Sequence, residues 1–118
     1  MSINSTTKKV DSVTVIGLSG KITIGEECKH LRETIRGQLS EGTKSILLNL
    51  GDISYIDSTG IGELVSSFTS VSRQGGQLKL LNLTKKVHDL LQITKLVTVF
   101  DIFEDEAKAV KSFGSTQA

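Results

Sequence analysis

The chain has 118 residues, of which 37% are hydrophobic, 23% charged and 4% aromatic, and its formal net charge is +1. These values are typical of one globular domain with an aliphatic core, and they lack the basic excess of most nucleic-acid-binding domains. No apolar run approaches the roughly 18 to 20 residues that cross a bilayer, and the polar segment Met1–Ser5 is unlike a secretory signal. We therefore expect one cytoplasmic domain over residues 1–118, with its core over about 5–113, no membrane insertion and no direct nucleic-acid binding.

The chain offers few side chains for a metal or a disulfide. Cys28 is its single cysteine, which excludes an internal disulfide, and only His30 and His88 could assist it as soft-metal ligands. We predict no metal site and no cofactor, and we interpret Cys28 as a small core residue.

The first third of the chain predicts a hairpin followed by a helix. Residues 5–10 and 13–18 favour extended structure on either side of the polar break Asp11-Ser12, and Gly20 is expected to end the second strand. Apolar residues then recur at helical spacing over residues 26–39. This pattern indicates a first helix with its polar face outward.

The middle of the chain predicts two strands with a helix between them. Residues 45–50 form a nearly continuous aliphatic run, as a central strand covered on both faces requires. The apolar face of the following helix is expected at Ile61, Leu64, Val65, Phe68 and Val71. The pair Gly75-Gly76 supplies a left-handed stop, after which Leu78, Leu80 and Leu83 mark a fourth strand.

The last third predicts a short helix, a brief strand and a final helix. Thr84 is expected to cap the third helix, and Val97–Phe100 is expected to form the last strand. Asp101 and Glu104 resemble a cap pair that opens the final helix. The apolar residues of that helix are expected to be Phe103, Ala107 and Val110, with a frayed tail after Phe113.

A leading hairpin followed by alternating helices and strands predicts an α/β fold. The later strands are expected to be parallel and covered by helices, which gives a mixed, mostly parallel sheet with about four helices. The sequence contains no internal repeat, linker or low-complexity block.

The stretch from Asp57 to Gly60 stands between the buried strand and the second helix. Its carboxylate and two hydroxyls are typical of a helix start, where the first backbone N–H groups lack intrahelical partners. Those groups and the helix dipole also favour an anion, so Ser58 could carry a phosphate at little cost to the fold. Gly60 and Gly62 indicate either close approach of a partner or tight packing of the helix start on the sheet.

Enzymatic interpretations of these residues are weaker. Residues 17–21 superficially resemble a phosphate-binding loop, but their glycine spacing is wrong and Ile22 follows the lysine where a Ser or Thr is needed. The Gly-x-Ser-x-Gly pattern of a serine hydrolase is absent around Ser58, and His88 is interpreted as a surface histidine.

The segment Asn49–Gly62, which contains Asp57-Ser58-Thr59-Gly60, resembles the signature of bacterial anti-sigma factor antagonists. These proteins are single STAS domains, and the resemblance extends from about Ser5 to Phe113. It implies a STAS fold and a regulatory binding protein that is not itself an enzyme.

In that family the hydroxyl residue directly after the aspartate, here Ser58, is phosphorylated by a partner that is both an anti-sigma factor and a serine kinase. The unphosphorylated antagonist binds the anti-sigma factor and frees the sigma factor, and a serine phosphatase resets the phosphorylated form. The resemblance implies the same partners here. The residues expected at the partner contact are Lys21, Ile22, Thr23, Glu26, Asp57, Ser58, Thr59, Gly60, Gly62 and Glu63.

The segment after the second strand departs from the family pattern. Antagonists commonly read Gly-Glu-Leu-Asp there, and the acidic residue helps to engage the partner. Here the segment reads Gly20-Lys21-Ile22-Thr23, so the charge changes sign at Lys21 and is lost at Thr23. Glu26 or Glu27 are candidates to replace it.

Two other functional classes stay open. One is a STAS subunit of another assembly, such as a stress-sensing complex or a lipid-transport system. The other is a small-ligand-binding STAS domain, which a thermal-shift screen would detect because a ligand at 100 times its dissociation constant adds about 2.7 kcal/mol of stability.

Overall fold

The computed structural model describes residues 3–114, which form five strands and four helices. The elements in chain order are β1 Ile3–Val10, β2 Val13–Ile22, α1 Glu26–Ser40, β3 Ser45–Ile56, α2 Ser58–Arg73, β4 Gln77–Leu81, α3 Lys85–Ile93, β5 Ile102–Phe103 and α4 Glu106–Gly114. None of the helices within this part of the chain has the length and apolar character needed to cross a bilayer.

The strands form one sheet in the order β1-β2-β3-β4-β5. Only the β1–β2 pair is antiparallel, and the three remaining pairs are parallel. This arrangement confirms the predicted α/β class, with a mixed and mostly parallel sheet that begins in a hairpin.

The central strand β3 is covered on both faces, as its aliphatic run predicts. Ile46 and Leu48 join the larger apolar core with residues of α1, α2 and α3, and Leu47 joins a smaller core beneath α4. All three side chains are 0% exposed. Because side chains alternate between the faces of a strand, this run builds both cores at once.

Two strands are longer than the sequence predicts. β2 continues past Gly20 to Ile22, and β3 continues past residue 50 to Ile56. The two strands stay paired to their ends, where Ile22 lies opposite Ile56. Gly20, with φ +107°, lies at a shift in register and does not end the strand. The extra pairing brings the ends of β2 and β3 together at the start of α2.

The prediction of a last strand at Val97–Phe100 is wrong. These residues form a turn, and β5 follows them at Ile102–Phe103, parallel to β4. Phe100 is 4% exposed and meets the ring of Phe68 edge-on, with 5.4 Å between ring centroids. The apolar pattern therefore reflects packing of the turn into the core.

The final helix begins later than predicted. Asp105 caps it, since its Oδ1 accepts hydrogen bonds from the backbone N–H groups of Ala107 at 2.8 Å and Lys108 at 3.3 Å. The prediction that Asp101 and Glu104 open the final helix as a cap pair is therefore wrong. With the later start, Ala107 is exposed. The buried residues of α4 are Ala109, Val110 and Phe113. Residues 115–118, on which most of the expected frayed tail falls, lie outside the described residues.

β1 begins earlier than predicted, at Ile3, and Leu83 lies beyond β4, whereas the remaining boundaries agree with the predictions. Asp11 makes the hairpin turn with φ +55°, and Gly75 ends α2 with φ +80°. Thr84 caps α3 by accepting the Val87 N–H at 3.4 Å. Cys28 is 2% exposed and lies in the larger core, as expected.

Candidate functional site

Asp57 is the N-cap of α2, as its residue type predicts. Its backbone is extended, with φ −102°, and its Oδ1 accepts a 2.7 Å hydrogen bond from the N–H of Gly60. The helix then continues through the bond from the Ile61 N–H to the Asp57 carbonyl oxygen, at 2.9 Å. One carboxylate oxygen therefore satisfies a donor that the first helical turn leaves without a partner.

The other carboxylate oxygen ties this helix start to a neighbouring loop. Oδ2 of Asp57 accepts a 3.0 Å hydrogen bond from the N–H of Ile24, in the loop between β2 and α1. Burial alone would raise the pKa of the Asp57 carboxyl, but hydrogen bonds from the backbone N–H groups of Ile24 and Gly60 outweigh it and lower that pKa. Asp57 is therefore a charged bridge between two segments at the sheet edge.

Ser58 and Thr59 are the first two residues of α2, and both are exposed. Neither hydroxyl has a hydrogen-bond partner within residues 3–114. Exposure alone therefore does not distinguish the two hydroxyls, which differ in the direction in which they point. Adjacent helical residues are turned by about 100° from one another.

Gly60 is required by close packing of the helix start on the sheet. A Cβ atom on this residue would lie 2.1 Å from the carbonyl oxygen of Ile22 and 2.7 Å from Cγ1 of Ile56. A Cβ atom on Gly62 would meet nothing within 4 Å, and that residue is exposed. Tight packing therefore accounts for Gly60, whereas Gly62 leaves open space beside Ser58 on the surface.

Glu63 is held by a residue of the neighbouring helix. Its Oε1 accepts a hydrogen bond from an Arg32 terminal nitrogen at 3.0 Å, and the Glu63 side chain is 10% exposed. In the loop before α1, the Thr23 hydroxyl donates to Oε1 of Glu27 at 3.2 Å. The Arg32–Glu63 pair joins α1 to α2 and leaves Glu63 little freedom to reach a partner, whereas the Thr23–Glu27 bond holds the loop on α1.

The structure brings nearly all of the sequence-predicted contact residues to one edge of the sheet. Lys21, Glu26, Ser58, Thr59 and Gly62 are exposed there, and Thr23, Asp57 and Glu63 are half-buried. Gly60 is buried beneath them. Ile22, also predicted at the partner contact, is 0% exposed and its side chain belongs to the core, so that side chain supports the loop and does not reach the surface.

Three further residues at this edge were missed by the sequence predictions. Ile24 is 71% exposed and Tyr55 is 41% exposed, although both are large and apolar. Lys86 on α3 places its Nζ 5.5 Å from the centroid of the Tyr55 ring. An isolated isoleucine between a strand and a helix could have indicated an exposed contact residue at Ile24. No local sequence pattern links Lys86 to β3. We call Lys21, Ile24, Tyr55, Ser58 and Thr59 together the Ser58 surface.

A matched pair of substitutions tests the packing of the helix start. Gly60→Ala should lower the free energy of unfolding by about 1 to 3 kcal/mol, because the new methyl group collides with the β2 backbone. Gly62→Ala should raise it by about 0.5 to 1 kcal/mol, because alanine favours a helix over glycine. Urea denaturation measures both. Equal effects of the two substitutions would contradict the close contact at Gly60.

A second substitution tests the Asp57 bridge. In Asp57→Asn one amide oxygen replaces two carboxylate oxygens, so one N–H donor loses its partner and stability at neutral pH should fall by about 1 kcal/mol. The folded pKa of Asp57 is lowered, so its stabilisation is full above the unfolded value of about 3.9 and is lost as pH falls through the folded value. The difference in free energy of unfolding between wild type and Asp57→Asn should therefore become smaller in acid.

Urea denaturation at a series of pH values measures this gap. The matched control is Asp52→Asn, which changes an exposed aspartate that makes no hydrogen bond within residues 3–114. A gap at Asp57 that stays constant with pH, or an equal gap for the control, would show that the charged bridge does not stabilise the fold.

Comparisons with known proteins identify relatives over almost the whole chain. The family model of the STAS domain matches residues 4–109. An anti-sigma-B factor antagonist of Bacillus subtilis is 35% identical over 117 residues, which cover 99% of this chain and 100% of the relative. An anti-sigma F factor antagonist of Paenibacillus polymyxa is 24% identical, over 83% of this chain and 84% of that protein.

Solved structures share the fold at lower identity. The Bacillus cell fate determinant SpoIIAA in its phosphorylated form superimposes with a TM-score of 0.71 at 21% identity, covering 92% of this chain and 98% of that one. At this identity, the likeness concerns the fold alone. The arrangement of strands and helices is therefore shared with this solved structure.

Proposed function

Because this chain belongs to the STAS-domain family of anti-sigma factor antagonists, we propose that its Ser58 surface binds an anti-sigma factor and so frees a sigma factor. The observation that carries the proposal is Ser58 itself, an exposed hydroxyl at a helix start held by Asp57. The protein acts by binding and not by catalysis. Since sigma factors act with RNA polymerase, the exchange takes place in the cytoplasm.

The Ser58 surface has the chemistry of a protein-binding site. Ile24 and Tyr55 leave large apolar groups in water, and burial of such groups drives association. Tyrosine is among the residues that most often dominate binding energy at interfaces. The Asp57 bridge holds the Ile24 loop against α2, so little ordering is needed when a partner binds.

Phosphorylation of Ser58 by an anti-sigma factor with serine kinase activity turns this binding off, and a serine phosphatase restores it. In the free protein the phosphate lies at the positive end of the α2 dipole, an interaction worth about 0.3 to 1 kcal/mol. Asp57 already occupies the Gly60 N–H and repels the new charge, so this gain is partly offset. The fold therefore tolerates the phosphate without a strong gain in stability.

The same phosphate is costly at the interface. A partner surface fitted to the neutral Ser58 hydroxyl would bury a dianion without a counter-charge, and an unpaired buried charge costs several kcal/mol. Each 1.4 kcal/mol is a tenfold loss of affinity, so a penalty of about 3 kcal/mol weakens binding more than a hundredfold. That loss is enough to release the anti-sigma factor.

The first test identifies the phosphate acceptor. Wild type, Ser58→Ala and Thr59→Ala are incubated with the purified anti-sigma factor kinase and ATP, and phosphate is mapped by mass spectrometry. We expect incorporation into wild type and Thr59→Ala but not into Ser58→Ala, because a kinase site aligned on one hydroxyl is misaligned on the next. Full incorporation into Ser58→Ala would refute the assignment.

The second test separates binding from folding. Ser58→Asp should melt within a few degrees of wild type yet bind the anti-sigma factor at least about tenfold more weakly, whereas Ser58→Ala should bind well and resist inactivation. The matched control is Thr59→Asp, which adds the same charge one residue further along α2 and should weaken binding less. Calorimetry measures affinity and circular dichroism measures melting.

The outcome that contradicts the switch is specific. If Ser58→Asp unfolds, phosphorylation would act on the fold, and if it binds as tightly as Ser58→Ala, a charge at this position would not control the interface. A wild-type chain that binds no anti-sigma factor would refute the proposed function as a whole.

A further inference from the structure

Tyr55 lies between two lysines that come from different parts of the chain. On the sheet, Tyr55 of β3 is the register partner of Lys21 of β2. Neighbouring residues of paired strands have their side chains on the same face, so Lys21 flanks the ring on one side. Lys86 of α3 also places its Nζ 5.5 Å from the ring centroid, within the range of a cation–π interaction.

These two lysines are free of carboxylates within residues 3–114, unlike their neighbours. Lys85, next to Lys86, pairs with Asp89 at 2.9 Å. Among the acids near the site, Asp57 accepts backbone N–H groups and Glu63 pairs with Arg32. Asp52, the register partner of Ser19, is exposed and makes no hydrogen bond within residues 3–114. Glu26 is exposed, but it lies in the first turn of α1, where the helix dipole offsets its charge.

Two lysines without carboxylate partners within residues 3–114 therefore lie beside the half-exposed Tyr55 ring, and the exposed Asp52 on the same strand offsets only part of their charge. Tyr55 precedes Ser58 by three residues, so their Cα atoms are at most about 11 Å apart. A partner that covers Ser58 and extends over Tyr55 meets Lys21 and Lys86 as well. Burying two ammonium groups without counter-charges would cost several kcal/mol, which a partner avoids only by supplying negative charge.

We propose that Lys21 and Lys86 together recognise an acidic side chain of the anti-sigma partner, with the Tyr55 ring as the apolar contact between them. This inference rests on the proposed function and specifies the chemistry of the partner at that same surface. It also makes the pair a determinant of specificity. A partner with a basic side chain at this point, suited to an acidic loop, is repelled by the lysines.

The charge of the two lysines can be reversed in the intact protein. Association of Lys21→Glu/Lys86→Glu with the purified anti-sigma factor is measured by surface plasmon resonance at low and high salt. At low salt the association rate should fall about tenfold or more, and the difference from wild type should shrink at high salt. Circular dichroism verifies folding, and the milder Lys21→Gln/Lys86→Gln should change the rate in the same direction.

The matched control is Lys9→Glu/Lys108→Glu, which changes the net charge equally. Lys9 pairs with Thr14 at the opposite end of the sheet, and Lys108 is exposed on α4. This variant should associate within about threefold of wild type, because its charges are distant from the contact and largely screened. An equal loss in the control would reduce the effect to net charge and overturn the proposal.

The remaining outcomes separate this inference from the proposed function. If wild type binds and the double reversal associates equally fast or faster at low salt, the acidic partner is wrong while the proposed function stands. If the double reversal changes the association rate only when Ser58 is phosphorylated, the lysines interact with the phosphate and not with the partner, which also overturns the inference. If wild type binds no anti-sigma factor, both fail. Restoration of fast association by an acid-to-lysine change on the partner would support the pairing directly.

Discussion

The Asp57 carboxylate is the interaction on which the candidate site depends. One oxygen accepts the Gly60 N–H and begins α2, and the other accepts the Ile24 N–H and holds the preceding loop. A neutral side chain with one acceptor could not make both bonds equally well. The bridge places Ser58 and Ile24 on one surface, although 33 positions separate Ile24 from the residue that binds it. Local capping chemistry thus produces a tertiary arrangement.

The sheet gives this bridge a rigid base. β2 and β3 remain paired to Ile22 and Ile56, and Gly60 packs so closely on the Ile22 carbonyl that no side chain fits between them. A phosphate added to Ser58 therefore meets a helix start fixed by backbone contacts and apolar packing, neither of which involves the serine hydroxyl. This is the physical reason why the proposed switch would change what the surface binds while the fold persists.

The parts of the structure governed by local chemistry could be predicted from the sequence. The aliphatic run of β3 indicated burial on both faces, and the aspartate before two hydroxyls and a glycine indicated a helix start. The parts governed by distant contacts could not. The extra length of β2 depends on its pairing with β3, the burial of Phe100 depends on Phe68, and the contact of Lys86 with Tyr55 depends on how α3 packs. The family resemblance placed Ile22 at the partner contact, whereas the continued strand turns its side chain into the core.

The central claim is that phosphate on Ser58 changes the interface and leaves the fold intact. The most direct measurement compares amide chemical shifts and hydrogen exchange of the free protein, before and after phosphorylation, by nuclear magnetic resonance. We predict that shift changes are confined to residues 22–26 and 55–63, and that the Gly60 amide keeps its protection because Asp57 still binds it. Loss of that protection, or shift changes and faster exchange across the buried residues of β3 and β4, would contradict the account by showing that the phosphate acts through the fold.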